Sequence, residues 1–425
     1  MKKVLIITYY WPPAGGPGVQ RVLKFAKYLP EFGWQPIILT VEKGEYPAID
    51  ESLLDEVPPN IKVYKTKSFE PFNLYKGVTG YKGNIPTHVL SNSENENFLQ
   101  KISKWVRANI FIPDARVGWI PSIVKEGLRI IDIEKPDIIF SSSPPHSLQI
   151  GAMKLAVKSG LKWVADFRDP WTDGFWQQDL KRTRYAIKKD TVYELSVLKN
   201  SNAVITVSQS IADLLNKKVV NKYFSIPNGY DKSDFEGFVK QRNDIFKIVY
   251  AGSLRKSQIP YNFFEAINSL KVQNRIKKLE VNFIGTIHPD AINLINERHL
   301  ADIVKLNNYI PHSELIKEIV NADMLLLSIP NTQKSEGILT GKLFEYIAAK
   351  NFILGFGPKD GDAAKIINEL NCGIMFDFSD SPEEVILEKY NDWLDGKNSL
   401  VENDSEKYTR KNLTKKLSEV FESVI

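Results

Sequence analysis

The feature that most constrains the fold is an alternation of short apolar runs with helical segments along the chain. In the first half, each run ends at turn residues, and the runs are 4–8, 36–40, 137–141, 163–167 and 203–207. Short apolar runs bounded by turns are typical of strands buried on both faces, and a strand–helix repeat is typical of a parallel sheet covered by helices. The sequence therefore predicts a doubly wound α/β unit.

The second half repeats this pattern. Its apolar runs are 247–251, Leu279–Ile284, Met324–Ser328 and 352–355, with helical spacing between them at 261–270 and 342–349. A chain of 425 residues is too long for one ordinary domain and suits two of about 200 residues each.

We therefore predict an α/β protein with two tandem Rossmann-like domains. We expect the first domain at 1–235 and the second at 236–404, because no strand or strong helical period is present in the polar stretch 228–244. Residues 405–425 have helical spacing, and we expect this helix to pack back on the first domain.

Composition narrows the class further. Cys372 is the only cysteine and there are five histidines, which excludes an intrachain disulfide and argues against a Cys/His zinc site. No apolar run approaches the ~20 residues of a spanning helix, and the first run is too short for a signal peptide. The net charge is +5, and the sequence contains no long basic run that would indicate nucleic-acid binding. These features favour a cytoplasmic protein.

Ligands of doubly wound sheets bind beyond the carboxyl ends of the strands, so the loops after strands are the candidate sites. In the first domain, Gly15 and Gly16 lie in a Gly/Pro-rich turn that opens the first helix. The turn suits either an anion or a purely structural role, and it lacks the dinucleotide spacing. His146 follows a strand end among small polar residues, where it can contact a substrate hydroxyl or act as an acid or base.

The run 163–173 leaves an apolar strand and enters a cluster of charges. Asp166 lies inside the strand pattern, and a buried salt bridge is its alternative role. Arg168 and Asp169 come later and could face a cleft. Metal binding by Asp169 and Asp173 is conceivable but has little other support, so no metal site is predicted.

Two segments of the second half suit a nucleotide-sugar donor. Gly252 and Ser253 end a strand and lead to the adjacent cations Arg255 and Lys256, which suit a diphosphate unless they only form a solvated basic loop. Further along, a Gly-rich stretch opens a helix near Gly341. There the backbone N–H groups from Leu339 through Thr340 and Gly341 to Lys342 would face an anion.

Glu345 lies on the first turn of that helix, where a carboxylate can accept hydrogen bonds from two vicinal hydroxyls of a ribose. Its alternative role is a favourable charge at a helix N-terminus, worth under about 1 kcal/mol.

These motifs, in this order, resemble the retaining GT-B glycosyltransferases of family 4. The resemblance covers nearly the whole chain. It is carried by Gly15-Gly16, the Asp-Phe-Arg-Asp-Pro-Trp run at 166–171, Ile-Pro-Asn-Gly-Tyr-Asp at 226–231, the segment 340–349, and Ile-Pro-Asp at 112–114 with Gly118-Trp119.

The resemblance implies two GT-B domains facing a central cleft, with the donor held mainly by the second. Glu345 matches the second Glu of the family's E-x7-E motif, which holds the donor ribose. The first Glu of the motif falls at Gly337 here, with Glu336 one residue away. Arg255 or Lys256 matches the basic pair on the diphosphate, and His146 lies where members carry an active-site His or Asp.

The resemblance also implies the reaction. A hexose would pass from a UDP- or GDP-sugar to an acceptor, with retention of configuration and no metal or other cofactor. From the segments 65–82 and 98–110, we separately hypothesise that the acceptor is a cell-surface glycan or a lipid-linked molecule. The departing diphosphate would be stabilised by cations and helix N–H groups. Two alternatives share the fold: a nucleotide-sugar 2-epimerase, and a non-catalytic nucleotide-sugar-binding protein.

A possible membrane contact lies at 98–110, where Lys101, Lys104 and Arg107 recur at helical spacing beside apolar residues. The alternative is an ordinary surface helix with Trp105 packed inside. The aromatic and Lys-rich segment 65–82 is a candidate acceptor lid.

Overall fold

The computed structural model describes residues 1–46, 48–68, 98–174, 181–397, 400–401 and 403–425. The chain divides into two compact units. The N-terminal unit comprises Met1–Pro227 with Arg410–Ile425, and the C-terminal unit comprises Asn228–Thr409. The divisions fall at 227/228 and 409/410, whereas the sequence placed them at 235/236 and 404/405. Most of the predicted lid segment, from 69 to 82, lies outside the described residues.

The N-terminal unit contains one parallel sheet. Its strands are β1 (Lys2–Thr8), β2 (Trp34–Val41), β3 (Lys62–Thr66), β4 (Ile138–Ser143), β5 (Lys162–Phe167), β6 (Ala203–Thr206) and β7 (Tyr223–Ser225). Their order is β3-β2-β1-β4-β5-β6-β7, and every neighbouring pair is parallel. The five central strands are almost wholly buried, and their apolar runs are those expected of strands covered on both faces.

Helices complete this unit. The described helices are α1 (Pro17–Tyr28), α2 (Phe98–Asn109), α3 (Ile120–Glu134), α4 (Ser147–Ser159), α5 (Arg184–Asn200), α6 (Gln209–Asn216) and, at the end of the chain, α13 (Arg410–Glu422). The apolar face of α13 shares a core cluster with α1 and the sheet. There the Phe421 ring centroid lies 5.1 Å from that of Trp34 and 5.6 Å from that of Phe140. This shared core explains why 410–425 belongs to the N-terminal unit.

The C-terminal unit has a second parallel sheet. Its strands are β8 (Phe246–Ala251), β9 (Leu279–Ile284), β10 (Val304–Asn307), β11 (Met324–Ser328), β12 (Phe352–Phe356) and β13 (Gly373–Phe376), in the order β10-β9-β8-β11-β12-β13. Its described helices are α7 (Tyr261–Val272), α8 (Pro289–Glu297), α9 (His312–Asn321), α10 (Gly341–Ala349), α11 (Asp362–Glu369) and α12 (Glu383–Leu394). Apolar clusters lie on both faces of the sheet.

The predicted fold class is confirmed, with seven parallel strands in one unit and six in the other. In each sheet the strand order reverses between the first and fourth strands of the unit, which are β1 and β4 in one and β8 and β11 in the other. Crevices at such reversals are where open α/β sheets bind ligands. The topology therefore points to the loops after β1 and β4, and to those after β8 and β11.

Candidate functional site

In the N-terminal unit, His146 lies directly beyond the carboxyl end of β4, at the position that precedes α4. Its ring stacks on Trp171 with a centroid separation of 4.7 Å and an interplanar angle of 9°, and Phe167 lies 6.2 Å away. The side chain is almost fully buried, and its Nδ1 has no hydrogen-bond partner in the described structure. An unpaired buried nitrogen is costly unless a ligand satisfies it.

Burial, followed by repulsion from Arg168, lowers the pKa of His146 to about 3. The imidazole is therefore neutral at physiological pH. In that state it can donate one hydrogen bond and accept another, but it carries no positive charge.

Acid titration should reveal this environment. The unfolded pKa is about 6.5, so between pH 6.5 and 3 the unfolded chain binds a proton that the folded protein excludes. The free energy of unfolding should therefore fall as the pH drops through that window, and His146→Asn should show a shallower fall. Urea unfolding at several pH values measures this. An imidazole whose NMR shifts titrate near pH 6.5 in the folded protein would contradict it.

Arg168 fixes the backbone around this histidine. Its guanidinium donates to the carbonyl oxygens of Gly18 at 2.6 Å, Pro144 at 2.9 Å and Ser143 at 3.0 Å. These bonds tie the loop after β1 to the loop after β4. Arg168 therefore holds both candidate loops of this unit together through its side chain.

The fixed position of the Arg168 guanidinium requires a glycine at position 18. A Cβ on Gly18 would lie 2.8 Å from Nη1 of Arg168, which three carbonyls hold in place. We expect Gly18→Ala to lower the free energy of unfolding by about 1–3 kcal/mol through overpacking. Gly341→Ala is the matched control, because no atom lies within 4 Å of its Cβ position. Equal unfolding midpoints in urea for the two variants would contradict the expectation.

Asp114 orients the helix that follows His146. Its carboxylate accepts from the backbone N–H and from the hydroxyl of Ser147, both at 2.8 Å, and from the N–H of Arg116 at 2.8 Å. Charge at a helix N-terminus stabilises that end of the helix. Asp114 is therefore a positioning residue for His146.

The other predicted acidic residues of this unit interact with cations of the same unit. Asp166 is fully buried and receives two hydrogen bonds from Arg21, at 2.9 and 2.7 Å, which agrees with its alternative role in a buried salt bridge. Asp169 is partly buried, and desolvation raises its pKa against the opposing charge of Arg168. Asp173 forms an ion pair with Lys218.

The glycine turn after β1 is anchored to a neighbouring segment. The N–H of Gly15 donates to the carbonyl of Ala48 at 2.9 Å, and Ala14 forms an antiparallel bridge with Ile49. Gly16 has a φ of +93° and precedes α1, so its backbone conformation favours glycine. These contacts account for a structural turn.

In the C-terminal unit, the loops after β8 and β11 bring several predicted residues together. Lys342, in the first turn of α10, lays its side chain over Gly252, whose Cβ position would be 3.1 Å from the Lys342 Cε. The Lys342 ammonium donates to the hydroxyl of Tyr250 at 2.7 Å and lies 3.9 Å from the ring centroid. Gly252 has a φ of +93°. A ligand could therefore approach the backbone here beside a cation.

Burial lowers the pKa of Lys342 to about 7, with the nearby charge of Glu345 opposing the shift and that of Arg255 adding to it. A lysine that titrates near neutral pH is unusual and marks a candidate functional site. An anion bound beside it would favour its charged form.

Glu345 follows Lys342 by one turn of α10. Its Oε1 lies 3.2 Å from Nε2 of His312, the first residue of α9, and its side chain is 28% exposed. The carboxylate is therefore held at one oxygen and accessible to a ligand hydroxyl.

The start of α10 offers further polar groups. No side chain caps the helix at Thr340, and the Thr340 hydroxyl is buried without a hydrogen-bond partner in the described structure. Gly341 has open space around its Cα. Leu339 packs in the core, so only its backbone could contact a ligand. The Glu336 side chain is exposed, and its carbonyl oxygen accepts from the N–H of Asp362 at 2.7 Å.

The predicted cation pair is separated by its contacts. The exposed ammonium of Lys256 lies 3.0 Å from a carboxylate oxygen of Asp290, and this hydrogen bond raises its pKa. Arg255 is exposed and near enough to Lys342 to affect its pKa. The Ser253 carbonyl accepts from the Tyr250 hydroxyl at 2.9 Å. Arg255 thus lies with the Lys342 group, whereas Lys256 pairs with α8.

Sequence reasoning missed Tyr250 and His312. Tyr250 lies inside the apolar run of β8, where it reads as a core residue, and His312 follows β10, away from the strand reversal. For His312, the only signal in the sequence was its place directly after Pro311, where a helix could begin.

The comparisons with known proteins agree with this architecture. Residues 82–234 match the family profile described as Glycosyltransferase Family 4, a range that lies almost wholly in the N-terminal unit. No curated protein shows significant sequence similarity to the chain.

Several solved structures share the fold. Sucrose-phosphate synthase from Thermosynechococcus elongatus has a TM-score of 0.65 at 12% identity, covering 100% of this chain and 99% of that chain. Anabaena HepE in complex with UDP and glucose has a TM-score of 0.62 at 11% identity, covering 100% of both. An S. aureus TarM mutant in a complex that includes UDP has a TM-score of 0.54 at 12% identity, covering 100% of this chain and 97% of that chain.

Residues 82–234 therefore resemble family 4 glycosyltransferases, and the two sheets together have a GT-B-like fold. Enzymes of this family are retaining hexosyltransferases that use a nucleotide-sugar donor. Among the described residues, no helix is long and apolar enough to cross a membrane.

Proposed function

We propose that the C-terminal unit binds a nucleoside-diphosphate sugar and that its hexose is transferred, with retention of configuration, to a glycan or lipid-linked acceptor served by the N-terminal unit. The observation that carries the proposal is the grouping of Gly252, Lys342 and Glu345 at one strand reversal. A backbone position without a side chain, a cation and an accessible carboxylate are what a diphosphate and a ribose diol require.

The donor would bind in two parts. The diphosphate lies beside the Lys342 ammonium and the first-turn N–H groups of α10, and Arg255 adds positive charge near it. The ribose hydroxyls donate to Glu345, whose second contact is His312. Negative charge grows on the diphosphate as the sugar leaves, so these groups stabilise the transition state more than the ground state.

His146 would serve the acceptor side of the reaction. Its imidazole is neutral at pH 7 and its Nδ1 has no partner in the described structure. It can therefore accept a hydrogen bond from a hydroxyl of a sugar without adding charge. The proposed reaction uses no metal ion, so transfer should continue in the presence of EDTA.

We infer that uridine is the nucleoside. HepE is described in complex with UDP and glucose, and the TarM mutant in a complex that includes UDP. We also place the enzyme in the cytoplasm, where nucleotide-sugars are made and where one unpaired cysteine is stable.

A thermal-shift panel tests the donor proposal. UDP, GDP, ADP and the corresponding sugar nucleotides are added to the purified chain, and one nucleotide class should raise the melting temperature by mass action. The hit is then incubated with a glycan acceptor, with and without EDTA, and the transferred sugar is measured. A panel without any shift would overturn the proposal.

The same samples separate this proposal from epimerisation. UDP-GlcNAc is incubated with the protein alone, and its 2-epimer is sought by NMR. Conversion without an acceptor would assign an isomerase. Donor binding without any turnover, with or without acceptors, would assign a binding protein instead.

A further inference from the structure

A surface of the N-terminal unit that the catalytic proposal does not use is formed by the end of α2 and the outer face of α5. The Asn109 side chain accepts from the N–H of Thr183 at 2.6 Å and donates to the carbonyl of Lys181 at 3.0 Å, and Arg182 donates to the carbonyl of Ala108 at 3.2 Å. These bonds join the end of α2 to the residues that lead directly into α5. The α2–α5 surface, as we name it, comprises Trp105, Ile110, Lys181, Arg184, Tyr185, Lys188, Lys189 and Val192.

Large apolar side chains are exposed across this surface. The exposed fractions are 50% for Trp105, 56% for Ile110, 69% for Tyr185 and 50% for Val192. The alternative in which Trp105 packs inside the first domain is therefore wrong. Single exposed apolar residues are ordinary, but four on two hydrogen-bonded neighbouring segments indicate an interaction surface.

The charges of α5 are sorted by face. Its two acids point inward, where Asp190 accepts from Trp171 at 2.7 Å and Arg182 at 2.6 Å, and Glu194 accepts from Thr172 and Lys218, both at 2.6 Å. The charged side chains outside the core on this helix are all basic: Arg184, Lys188, Lys189 and Lys199. The sequence contains no Asp or Glu at 98–110 or 181–189. The surface thus combines apolar groups with an unbalanced positive charge.

The apolar groups and the positive charge together favour one kind of partner over another. A second copy of the chain meeting the same surface would bring cations against cations, which opposes symmetric pairing. An anionic bilayer satisfies both features, because Trp and Tyr rings favour headgroup depth and Lys and Arg contact lipid phosphates. The aliphatic Ile110 and Val192 then add apolar burial.

We propose that the α2–α5 surface docks this protein on an anionic lipid bilayer. The sequence pointed to the single helix at 98–110, and the structure adds α5, whose outward basic face is evident only from the burial of Asp190 and Glu194. This inference does not depend on the donor chemistry. Lipid binding and donor turnover can therefore be measured separately in the same protein.

Vesicle flotation of the full chain tests the proposal. We expect co-flotation with phosphatidylcholine vesicles that contain phosphatidylglycerol, little with phosphatidylcholine alone, and loss at high salt. Tyr185→Ser with Lys188→Gln should lower the bound fraction by roughly fivefold or more, since one basic residue near such a membrane contributes ~1 kcal/mol. Val220→Ser with Lys222→Gln, also exposed in this unit, is the matched control and should float like wild type.

Donor turnover, a second variant and light scattering complete the test of lipid docking. Donor turnover in solution should be equal in all three proteins, which separates this test from that of the proposed function. If the double variant does not fold, Trp105→Ser replaces it. Wild type that ignores anionic vesicles, or a variant that floats as well as wild type, would overturn the proposal. Light scattering that shows a dimer dissociated by the Tyr185/Lys188 variant would assign the surface to a second copy instead.

Discussion

Replacing Glu345 with alanine should raise the KM for the nucleotide-sugar donor by about ten- to a hundredfold, because hydrogen bonds to a charged group contribute about 1.5–3 kcal/mol and 1.4 kcal/mol is tenfold in affinity. The carboxylate is 28% exposed and anchored at one oxygen by His312, so its other lone pairs are available to a ribose diol. Initial rates over a range of donor concentrations measure the effect.

Two further variants are needed to assign the change in donor KM to a ribose contact. Glu314→Ala removes an exposed carboxylate from the first turn of α9 and should leave the donor KM unchanged. His312→Asn removes the imidazole that orients Glu345, and we expect an increase smaller than that for Glu345→Ala. An unchanged donor KM in a folded Glu345→Ala protein would exclude a ribose contact. An equal increase in Glu314→Ala would assign the effect to general electrostatics.

The interior of both sheets could be predicted from the sequence, and their edges could not. The predicted strands Leu279–Ile284 and Met324–Ser328 have the observed bounds. The four strands without a prediction are β3, β7, β10 and β13, and each lies at an edge of its sheet. Edge strands are covered less completely, so they need no continuous apolar run and their sequences lack the signal.

The candidate site followed a similar division. Strand ends are visible in a sequence, and they selected the loops that hold Gly252, Lys342 and His146. Side-chain contacts across the fold are not visible. The pairing of Glu345 with His312 joins residues 33 positions apart, and that of Arg168 with Gly18 joins residues 150 apart. Spacing along the chain could not show that Lys256 pairs with Asp290 while Lys342 lies over Gly252.

Burial lowers the pKa of one residue in each candidate site, but the resulting charge near pH 7 differs between the two. It lowers the pKa of His146 to about 3 and that of Lys342 to about 7. The histidine is thereby kept neutral throughout the physiological range. The lysine is instead balanced between its two states, so a bound anion decides its charge. Only the second site should couple ligand binding to protonation.

Donor affinity should therefore depend on pH through Lys342. With a pKa of about 7 in the unliganded protein, the ammonium is mostly lost above pH 8, and a bound diphosphate must then recruit a proton. We expect the Kd of a UDP-sugar to rise by up to about tenfold per pH unit above 7, which is the limit for one linked proton. Lys342→Met should bind about tenfold or more weakly at pH 6.5 and lose this dependence. Titration calorimetry in two buffers of different ionisation enthalpy measures both affinity and proton uptake.

The stability of the unliganded protein provides an independent check of the same group. An unfolded lysine has a pKa of about 10.4, so between pH 7 and 10.4 the unfolded chain holds a proton that the folded protein has released. Lys342 therefore makes the free energy of unfolding increase with pH through that window, and Lys342→Met should lack this increase. Lys350→Met, at the exposed C-terminal end of α10, should behave like wild type in both experiments. Proton uptake that persists in Lys342→Met would assign the linkage to another group and leave Lys342 with a structural role only.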